Sequence, residues 1–538
     1  MKNINKVICG IGVAFLGLTA FTSCEEETQP TSYATTDQMA QSSSATEALL
    51  SAVPASLNSI WSNSAHYSWG YGSLMKIRDV MTGDFTNVES NYDWYTAWAQ
   101  DYYIGKGYLA TQFVWNYYYK MVLTANNLIS GIDSTNATTE QKGYLGVGYA
   151  ERAWMYLDMA RMYEFLPNEK YPDGKNESGN VVTNLTVPIV KAGMSEDSAR
   201  VNPRATREQM AAFILDDLNR AESLITNLTS TRSKTLPDLA CVYGMKARYY
   251  MWLENYPMAQ TYARKAINAS GLTPVTQSVA LNPSTGFNTA DPWMWASTLT
   301  AENATVESGI CNWTSWMSNE TQFGYAGAGP MIMIDKSMYD RISDTDWRKL
   351  EWKAPATSSL YSSVPFLSNT YKNSLPTYGS IKFRPGSGND GESSVGAVTS
   401  YPLMRVEEMY FIEAEAAAHQ DAAKGKELLV NFMTNYRDPQ YKCKVSSTDD
   451  VVEEIVFQKR VELWGEGQTF FDIKRLNYSV TRAYTGTNFY EQSRFNTNGR
   501  PAWMNFVIVQ TEENNNSGVK DWNNPDPSDL YTPIQVEE

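Results

Sequence analysis

The chain has 538 residues, of which 43% are hydrophobic and 19% charged, so it can build a core and is not disordered over most of its length. Its 59 acidic and 44 basic residues give a net charge of −15, which argues against nucleic acid or anionic lipid as a binding partner. The chain has two histidines, His66 and His419, which argues against a histidine-dependent triad or a multi-histidine metal site.

The N-terminus is typical of an export signal. Two lysines precede an apolar stretch over 7–21 that is too short for a comfortable membrane span. Small residues then lead to Cys24 in a pattern that resembles a bacterial lipobox. We therefore expect a lipoprotein signal peptide over 1–23 and acylation of Cys24, the alternative being an ordinary secretory signal. The glutamates at 25–27 resemble the surface-export signal of Bacteroidota lipoproteins or form a solvated charge run, and 24–45 is expected to be a flexible tether.

Three further cysteines follow Cys24, namely Cys241, Cys311 and Cys443. An odd number excludes a disulfide framework as the main support of the fold, although the sequence leaves open whether one pair forms. The apolar neighbours of Cys241 predict a buried thiol. No phosphate-cradling glycine loop, EF-hand spacing or Cys/His cluster is present, so the sequence predicts neither a cofactor nor a metal.

Helical periodicity dominates two parts of the chain, about 109–269 and about 401–476. The clearest unit is 239–267, where small residues recur at helical spacing on both sides of an Asn-Tyr-Pro turn. This pattern resembles a tetratricopeptide repeat, in which antiparallel helices bury their faces by stacking on neighbours. It recurs less clearly at 145–226 and 403–436. The fold class predicted is mainly α, a tetratricopeptide-like scaffold of helical pairs.

Two regions lack a sustained helical period and are rich in Gly, Pro, Ser, Thr and Asn. They are a loop-rich insertion at about 270–400 and an irregular tail at about 477–538. Long loops in a compact protein are usually functional, so we expect these irregular insertions to form a binding face on the scaffold. With the helical pairs they are predicted to make one domain over 46–538.

Several segments resemble the SusD/RagB family of outer-membrane glycan-binding lipoproteins, in the order in which that family has them. The segment 401–416 is similar to its helix with a basic residue, a Glu and then Ala-Glu-Ala, and 458–475 is similar to its most specific stretch. The segments 115–129, 150–153 and 203–224 also fit. The opening of the 458–475 stretch is Gln-Lys where the family usually has Glu-Arg, a change that touches packing more than binding.

The resemblance implies a non-catalytic lipoprotein, anchored to the cell surface at Cys24, that captures oligosaccharide or polysaccharide. It would pass the glycan to a SusC-like TonB-dependent transporter in the outer membrane. The charged residues of the matching segments are expected to be ion pairs between packed helices rather than ligand contacts; they are Arg405, Glu408, Glu413, Glu462 and Asp472.

The strongest site signal is aromatic enrichment, because 17 of the 59 residues between Trp61 and Tyr119 are aromatic, against 13% of the chain. Sugar rings have apolar faces and polar rims, so flat side chains flanked by donors and acceptors suit them. Trp94, Trp98 and Tyr102 share one face if their segment is helical. Tyr67, Trp69 and Tyr71 share one side if theirs is extended. The candidate glycan contacts are Trp94, Trp98, Tyr67, Trp69, Tyr71, Tyr95, Asp79 and Asp84.

A second candidate surface lies in the loop-rich insertion, where four tryptophans stand among polar residues and Arg384 precedes a Pro-Gly turn. For both surfaces the alternative is that the rings are core. Two other functions also stay open. One is a protein-interaction scaffold of the tetratricopeptide type, and the other is a glycoside hydrolase with an unrecognised carboxylate pair.

Overall fold

The computed structural model of the protein describes residues 43–536. The predicted signal peptide over 1–23, the predicted lipidation site Cys24 and most of the predicted tether over 24–45 lie outside these residues. The first helix begins at Ser43, so the last residues of the predicted tether are helical.

Long helices form the scaffold, as the 3.6-residue periodicity predicts. They are α1 (Ser43–Ser56), α2 (Tyr71–Val80), α3 (Leu109–Ser130), α4 (Thr139–Tyr163), α5 (Arg207–Leu224), α6 (Leu239–Trp252), α7 (Tyr256–Ser270), α8 (Val406–Ala418), α9 (Ala422–Tyr436), α10 (Thr448–Glu462) and α11 (Thr469–Leu476). Neighbours in sequence pack side by side: α3 on α4, α4 on α5, α6 on α7 and α8 on α9, while α7 also packs on α8. The mainly helical fold class is therefore confirmed.

Local chemistry explains where these helices begin and end. Thr206 starts α5 with a capping box, in which its hydroxyl accepts from the backbone N–H of Gln209 while the Gln209 side chain accepts from the Thr206 N–H. Asn255 caps α7 in the predicted Asn-Tyr-Pro turn, and Gly271 ends that helix with φ 61°, a conformation that favours glycine. The turn therefore brings α6 and α7 back to back as predicted.

Short elements lie mainly in the insertion and the tail, and a few lie elsewhere in the chain. The short α-helices are Thr96–Ala99, Glu196–Ala199, Gln277–Ala280, Ala304–Glu307, Trp313–Met317, Tyr325–Ala328, Lys336–Arg341, Asn369–Ser374, Ser393–Gly396 and Gln510–Asn515. The 3₁₀ turns are Ile225–Asn227, Trp347–Glu351, Gly386–Gly388, Glu491–Ser493 and Ala502–Met504. The strands are β1 (Phe85–Asn87), β2 (Trp295–Thr298), β3 (Ile332–Ile334) and β4 (Ser400–Met404).

Two small antiparallel sheets tie the insertion to the rest of the chain. Strand β2 pairs with β4 just before α8, and β1 pairs with β3, with Phe85 opposite Ile334. The β1–β3 pairing continues through the Val88 N–H, which donates to the Met331 carbonyl at 2.9 Å. The aromatic N-terminal segment that follows β1 is therefore held against the part of the insertion that precedes β3.

The three cysteines of the described region are free thiols. Cys241 is buried, as predicted, and burial raises the pKa of its thiol well above the usual range. Cys311 is also buried and Cys443 is half-buried. Within residues 43–536, none of the helices combines the length and apolarity that crossing a bilayer requires.

Candidate functional site

Most of the aromatic residues predicted to face a ligand are core residues. Tyr67 packs edge-on against Trp98 with ring centroids 5.1 Å apart, and Trp69 packs against Trp313 at 6.3 Å. Tyr71 contacts Trp154 at 4.5 Å. All of these rings are buried, so the prediction that they lie open for glycan stacking is wrong.

Tyr95 is sealed in the same way. Its hydroxyl shares a 2.8 Å hydrogen bond with Ser73, and its ring meets the edge of Trp316 at 5.0 Å. The helix expected to align Trp94 with Trp98 is a single turn, Thr96–Ala99, and Trp94 lies before its start. The two indoles therefore do not share a helical face.

The predicted polar contacts are also buried, each against a protein partner. Asp79 accepts the backbone N–H of Gly467 at 2.9 Å, and burial raises its pKa well above the usual range. Asp84 accepts from Arg460 Nε at 2.8 Å. Arg384 forms an ion pair with Glu320 in which both side chains are fully buried. These three predictions of ligand contact are wrong because each charge is already neutralised or hydrogen-bonded inside the fold.

The second predicted surface, in the insertion, is likewise interior. Its four tryptophans have no measurable exposure; they are Trp293, Trp295, Trp313 and Trp316. Trp313 stacks on Tyr401 at 4.8 Å. Trp313 and Trp316 pack on Trp69 and Tyr95, so these rings of the two predicted surfaces cover each other.

Trp94 is the exception among the predicted contacts, because 37% of its surface stays exposed. Its indole lies 4.6 Å from the His66 ring at an interplanar angle of 31°. His66 in turn lies 5.7 Å from Tyr325 and hydrogen-bonds its hydroxyl through Nδ1. Tyr92, which is 61% exposed, lies two residues before Trp94 on the same segment. We call these four residues, Trp94, His66, Tyr325 and Tyr92, the aromatic shelf.

Buried residues hold the shelf in place from below. Trp316 stacks on Tyr325 with centroids 4.3 Å apart and planes 13° apart, and its Nε1 donates to the His66 carbonyl at 3.2 Å. Lys76 lies beneath them, with Nζ 4.9 Å from the Trp316 ring and donating to the Trp316 carbonyl at 2.9 Å. Burial lowers the pKa of Lys76 to about 8. The rings of the shelf are therefore backed by a rigid, cation-supported layer.

Gly329 lets the insertion approach the segment that carries Tyr92. A Cβ added at Gly329 would stand 3.4 Å from Tyr92 Cδ2, with the Ser90 side chain closer still. This contact and the β1–β3 pairing bring Tyr325 beside Trp94. The sequence prediction missed Tyr92, His66 and Tyr325. A usable signal was available for Tyr92 alone, which stands between the polar residues Asn91 and Asp93.

A polar cavity of about 490 Å³ lies along the same segment. We call it the polar groove; it is lined by Glu89, Ser90, Asn91, Asp93, Thr96, Gln100 and Tyr490. Asp93 is fixed in it, since Oδ1 accepts the Tyr95 N–H at 2.9 Å and Oδ2 accepts from Asn87 at 3.1 Å. Burial raises the pKa of Asp93. The groove thus offers amide, hydroxyl and carboxylate groups next to exposed ring faces, the combination that a sugar ring needs.

The charged residues of segments 401–416 and 458–475 are structural. Glu462 pairs with Arg405 at 2.6 Å, and Glu408 pairs with Arg248 at 2.6 Å. Glu413 pairs with Arg264, and Asp472 pairs with Lys459 at 2.9 Å. The prediction that these residues form ion pairs between packed segments is confirmed. Among residues 43–536, no three His, Cys, Asp or Glu side chains converge as metal ligands do.

The structural class is a scaffold of helical pairs whose loops carry exposed aromatic residues. Two family models match the chain: the one described as the SusD family covers residues 278–538, and the one described as starch-binding, associating with the outer membrane, covers residues 34–251. Only 1–33 and 252–277 fall outside both matches. The chain belongs to the SusD family.

Individual relatives agree with this assignment. A SusD-like protein of Formosa agariphila is 25% identical over 147 residues, which are 27% of this chain and 24% of that protein. The match thus spans about a quarter of the length of that relative. A SusD-like carbohydrate-binding protein from Bacteroides vulgatus superposes with a TM-score of 0.68 at 22% identity, covering 88% of this chain and 97% of that one. A SusD superfamily protein from Bacteroides thetaiotaomicron gives 0.64 at 16%, covering 93% and 100%. These two structures share the fold.

Proposed function

We propose that this protein is a cell-surface lipoprotein that binds an oligosaccharide or polysaccharide at the aromatic shelf and polar groove, without catalysis. It then delivers the glycan to a SusC-like TonB-dependent transporter in the outer membrane. Membership of the SusD family supports glycan binding, and the family description supports the outer membrane as the location. The lipobox-like sequence before Cys24 supports lipid anchoring.

One observation carries the proposal: Trp94 stays partly exposed, whereas the other rings predicted to stack on glycan are buried. Its neighbours His66 and Tyr325 come from segments far apart in the chain, and their contacts hold the ring edges at fixed distances. A preorganised aromatic face next to hydrogen-bonding groups binds a sugar with little loss of side-chain entropy. The buried tryptophans cannot serve in this way because protein already covers their faces.

Replacing Trp94 with Ala is expected to weaken glycan binding at least about tenfold, because it removes a stacking contact worth roughly 0.5–1.5 kcal/mol and further apolar contact area. The measurement is affinity electrophoresis of the full chain in a detergent without a sugar headgroup. The gels carry amylopectin, dextran, xyloglucan or galactomannan.

Trp522→Ala is the matched control, since Trp522 is exposed to a similar degree, 42%, and lines neither the shelf nor the groove. Its retardation is expected to equal that of the wild type. Equal retardation of the Trp94→Ala protein would show that the shelf is not the site. If none of the four gels retards the wild type, the protein-interaction scaffold becomes the better reading of the fold.

A hydrolase remains the second candidate, because Glu89 and Asp93 both line the groove. Two carboxylates beside a bound glycan are the minimum that glycoside hydrolysis requires. New reducing ends after incubation with the retained polysaccharide, lost in Glu89→Gln and Asp93→Asn, would establish catalysis and overturn the non-catalytic proposal.

The groove also predicts selectivity for uncharged glycans. It carries two carboxylates, none of its lining residues is Lys or Arg, and the chain has a net charge of −15. Dextran sulfate is therefore expected to bind about tenfold or more weakly than dextran at low ionic strength, if dextran is retained. For another retained polysaccharide, its own sulfated derivative replaces dextran sulfate. Added salt should reduce the difference in affinity between the neutral and the sulfated polysaccharide, because salt screens charge. At low salt, Glu89→Gln should reduce the same difference, because it removes one carboxylate from the groove. Equal affinity for both forms would contradict this prediction.

A further inference from the structure

A second exposed aromatic surface lies just after the groove-lining segment. Tyr103 and Tyr108 expose 55% and 42% of their surface, and their ring centroids are 5.0 Å apart. Tyr102 meets Tyr103 edge-on at 4.6 Å. We call these three residues the tyrosine platform. Their rings pack against each other rather than into the core, so their outer faces stay available to solvent.

The backbone that carries the platform adopts an unfavourable conformation. Tyr103 has φ 58° and Asp101 has φ 54°, both in the left-handed region that bulky residues seldom occupy. Each such residue costs on the order of 1–3 kcal/mol and persists only where its surroundings impose it. Tyr103 gains no burial in return, because more than half of its surface faces solvent. A strained backbone that holds a ring in solvent indicates that the exposed ring has a role in binding.

Neighbouring segments impose this conformation. The Asp529 N–H donates to the Asp101 carbonyl at 2.7 Å, and the Tyr102 N–H donates to the Ala97 carbonyl at 3.1 Å. The Thr111 hydroxyl lies within hydrogen-bond distance of two carbonyls of the loop, Ile104 at 2.9 Å and Gly105 at 2.7 Å. The loop is therefore fixed by the C-terminal tail on one side and by α3 on the other, and the platform is preorganised.

The platform adjoins the polar groove. The Tyr102 hydroxyl donates to Thr96 Oγ1 at 2.8 Å, and Thr96 lines the groove. Trp94 lies two residues before Thr96 on the same segment. One polar groove therefore connects two exposed aromatic surfaces, the shelf and the platform.

We propose that the tyrosine platform is a second subsite for the same glycan, stacking on a sugar further along a chain that the shelf already holds. This inference rests on the proposed function and specifies its ligand as a chain long enough to reach both surfaces, rather than a monosaccharide or disaccharide. Tyrosine faces suit this role because stacking tolerates different sugars while the hydroxyls bond to ring substituents. Continuity with the groove is the reason to assign the platform to glycan rather than to a protein partner.

The test uses the polysaccharide from the four gels that retards the full chain most, together with its own oligosaccharides of about two to eight sugars. Affinities are measured by calorimetry in the same detergent. The double variant Tyr103→Ala/Tyr108→Ala is expected to bind the polymer and the longest oligosaccharides about tenfold more weakly and the disaccharide unchanged. Trp94→Ala is expected to lose affinity for all lengths.

Two controls separate stacking from folding. Tyr103→Phe/Tyr108→Phe keeps both ring faces and is expected to stay within about threefold of the wild type. Tyr243→Ala removes a partly exposed tyrosine from α6 of the scaffold, and its affinity for the polysaccharide and for every oligosaccharide is expected to equal that of the wild type. Thermal unfolding of each variant confirms that the chain is folded.

The outcomes distinguish the two proposals. Wild-type affinity of the double alanine variant for every length would overturn the second subsite and leave the shelf intact. An equal loss for disaccharide and polymer would also overturn it. If the double variant keeps glycan affinity but no longer captures the transporter from outer membranes, the platform is a protein-docking face. If no polysaccharide retards the wild type, the proposed function itself fails.

Discussion

Replacing Glu462 with Ala is expected to lower the free energy of unfolding by about 3–5 kcal/mol, because it strands buried guanidinium groups. The carboxylate is almost fully buried and accepts from Arg405 Nη2 at 2.6 Å, Arg437 Nε at 2.7 Å and Arg348 Nη1 at 3.2 Å. Burial alone would raise the pKa of Glu462, but Arg437, Arg405 and Arg348 hold it well below its usual range. The native state thus depends on the ionised carboxylate.

The three arginines differ in the other carboxylates that they contact. Arg405 also pairs with Glu466 at 2.8 Å, and Arg348 also pairs with Asp346 at 2.6 Å. Arg437 has Glu407 at 3.4 Å as its remaining carboxylate. The loss of Glu462 therefore falls mainly on Arg437, and Glu462→Gln should cost less than Glu462→Ala because the amide oxygen still accepts one hydrogen bond.

Urea unfolding of the two variants at neutral pH measures the effect. Glu453→Ala is the matched control, since Glu453 lies on the same helix, α10, but forms an exposed ion pair with Arg341 at 2.7 Å. An exposed pair contributes about 0–1 kcal/mol. A Glu462→Ala protein as stable as the Glu453→Ala protein would show that the buried network does not stabilise the fold.

Replacing Glu151 with Gln is expected to stabilise the protein by about 4–5 kcal/mol at pH 8 and by little near pH 4.5. Glu151 lies in α4, is almost fully buried, and its Oε1 has no hydrogen-bond partner. Burial raises its pKa to about 8. The adjacent Arg152 does not neutralise it, because Arg152 pairs with Asp217 at 2.8 Å.

Proton linkage determines whether Glu151 stabilises or destabilises the protein as the pH rises. Between the unfolded pKa near 4.5 and the folded pKa near 8, the native state holds a proton that the unfolded chain has lost. The contribution of Glu151 to stability is therefore fully present below about pH 4.5 and decreases as the pH rises to about 8. Each unit by which the folded and unfolded pKa values differ corresponds to about 1.4 kcal/mol of stability.

Denaturant unfolding of wild type and Glu151→Gln at pH 5, 6, 7 and 8 gives the difference at each pH. Glu140→Gln removes an exposed charge from the first turn of the same helix, and its difference from wild type should stay within about 1 kcal/mol and not grow with pH. If the free energy of unfolding of Glu151→Gln differs from that of the wild type by the same amount from pH 5 to pH 8, Glu151 is not a buried neutral carboxyl.

The helical scaffold could be predicted from the sequence because helix signals are local. The spacing of the small residues in 239–267 and the Asn-Tyr-Pro turn each act within a few residues, and each appears in the structure as expected. The ion pairing of Glu462 was predicted from its place in a family-like segment. Its three arginine partners come from other segments.

The open surface could not be predicted in the same way. Whether an aromatic ring is covered depends on which distant residue packs on it, and periodicity carries no information about that partner. Trp69 and Tyr95 are covered by Trp313 and Trp316 of the insertion, whereas Trp94 contacts His66 and remains partly open. Aromatic enrichment located a stretch of chain that contains exposed rings, but tertiary contacts were needed to tell the exposed Trp94 from the buried Trp98.

The shelf joins pieces that neither half of the polypeptide contains by itself. Trp94 and His66 precede the scaffold repeats, while Tyr325 and its backing Trp316 follow most of them, and Tyr490 of the groove comes later still. A fragment that is truncated during synthesis or cleaved by a protease would therefore carry only part of the shelf. Under the proposed function, glycan retention therefore requires the whole polypeptide, so damaged copies would not compete with intact ones for glycan.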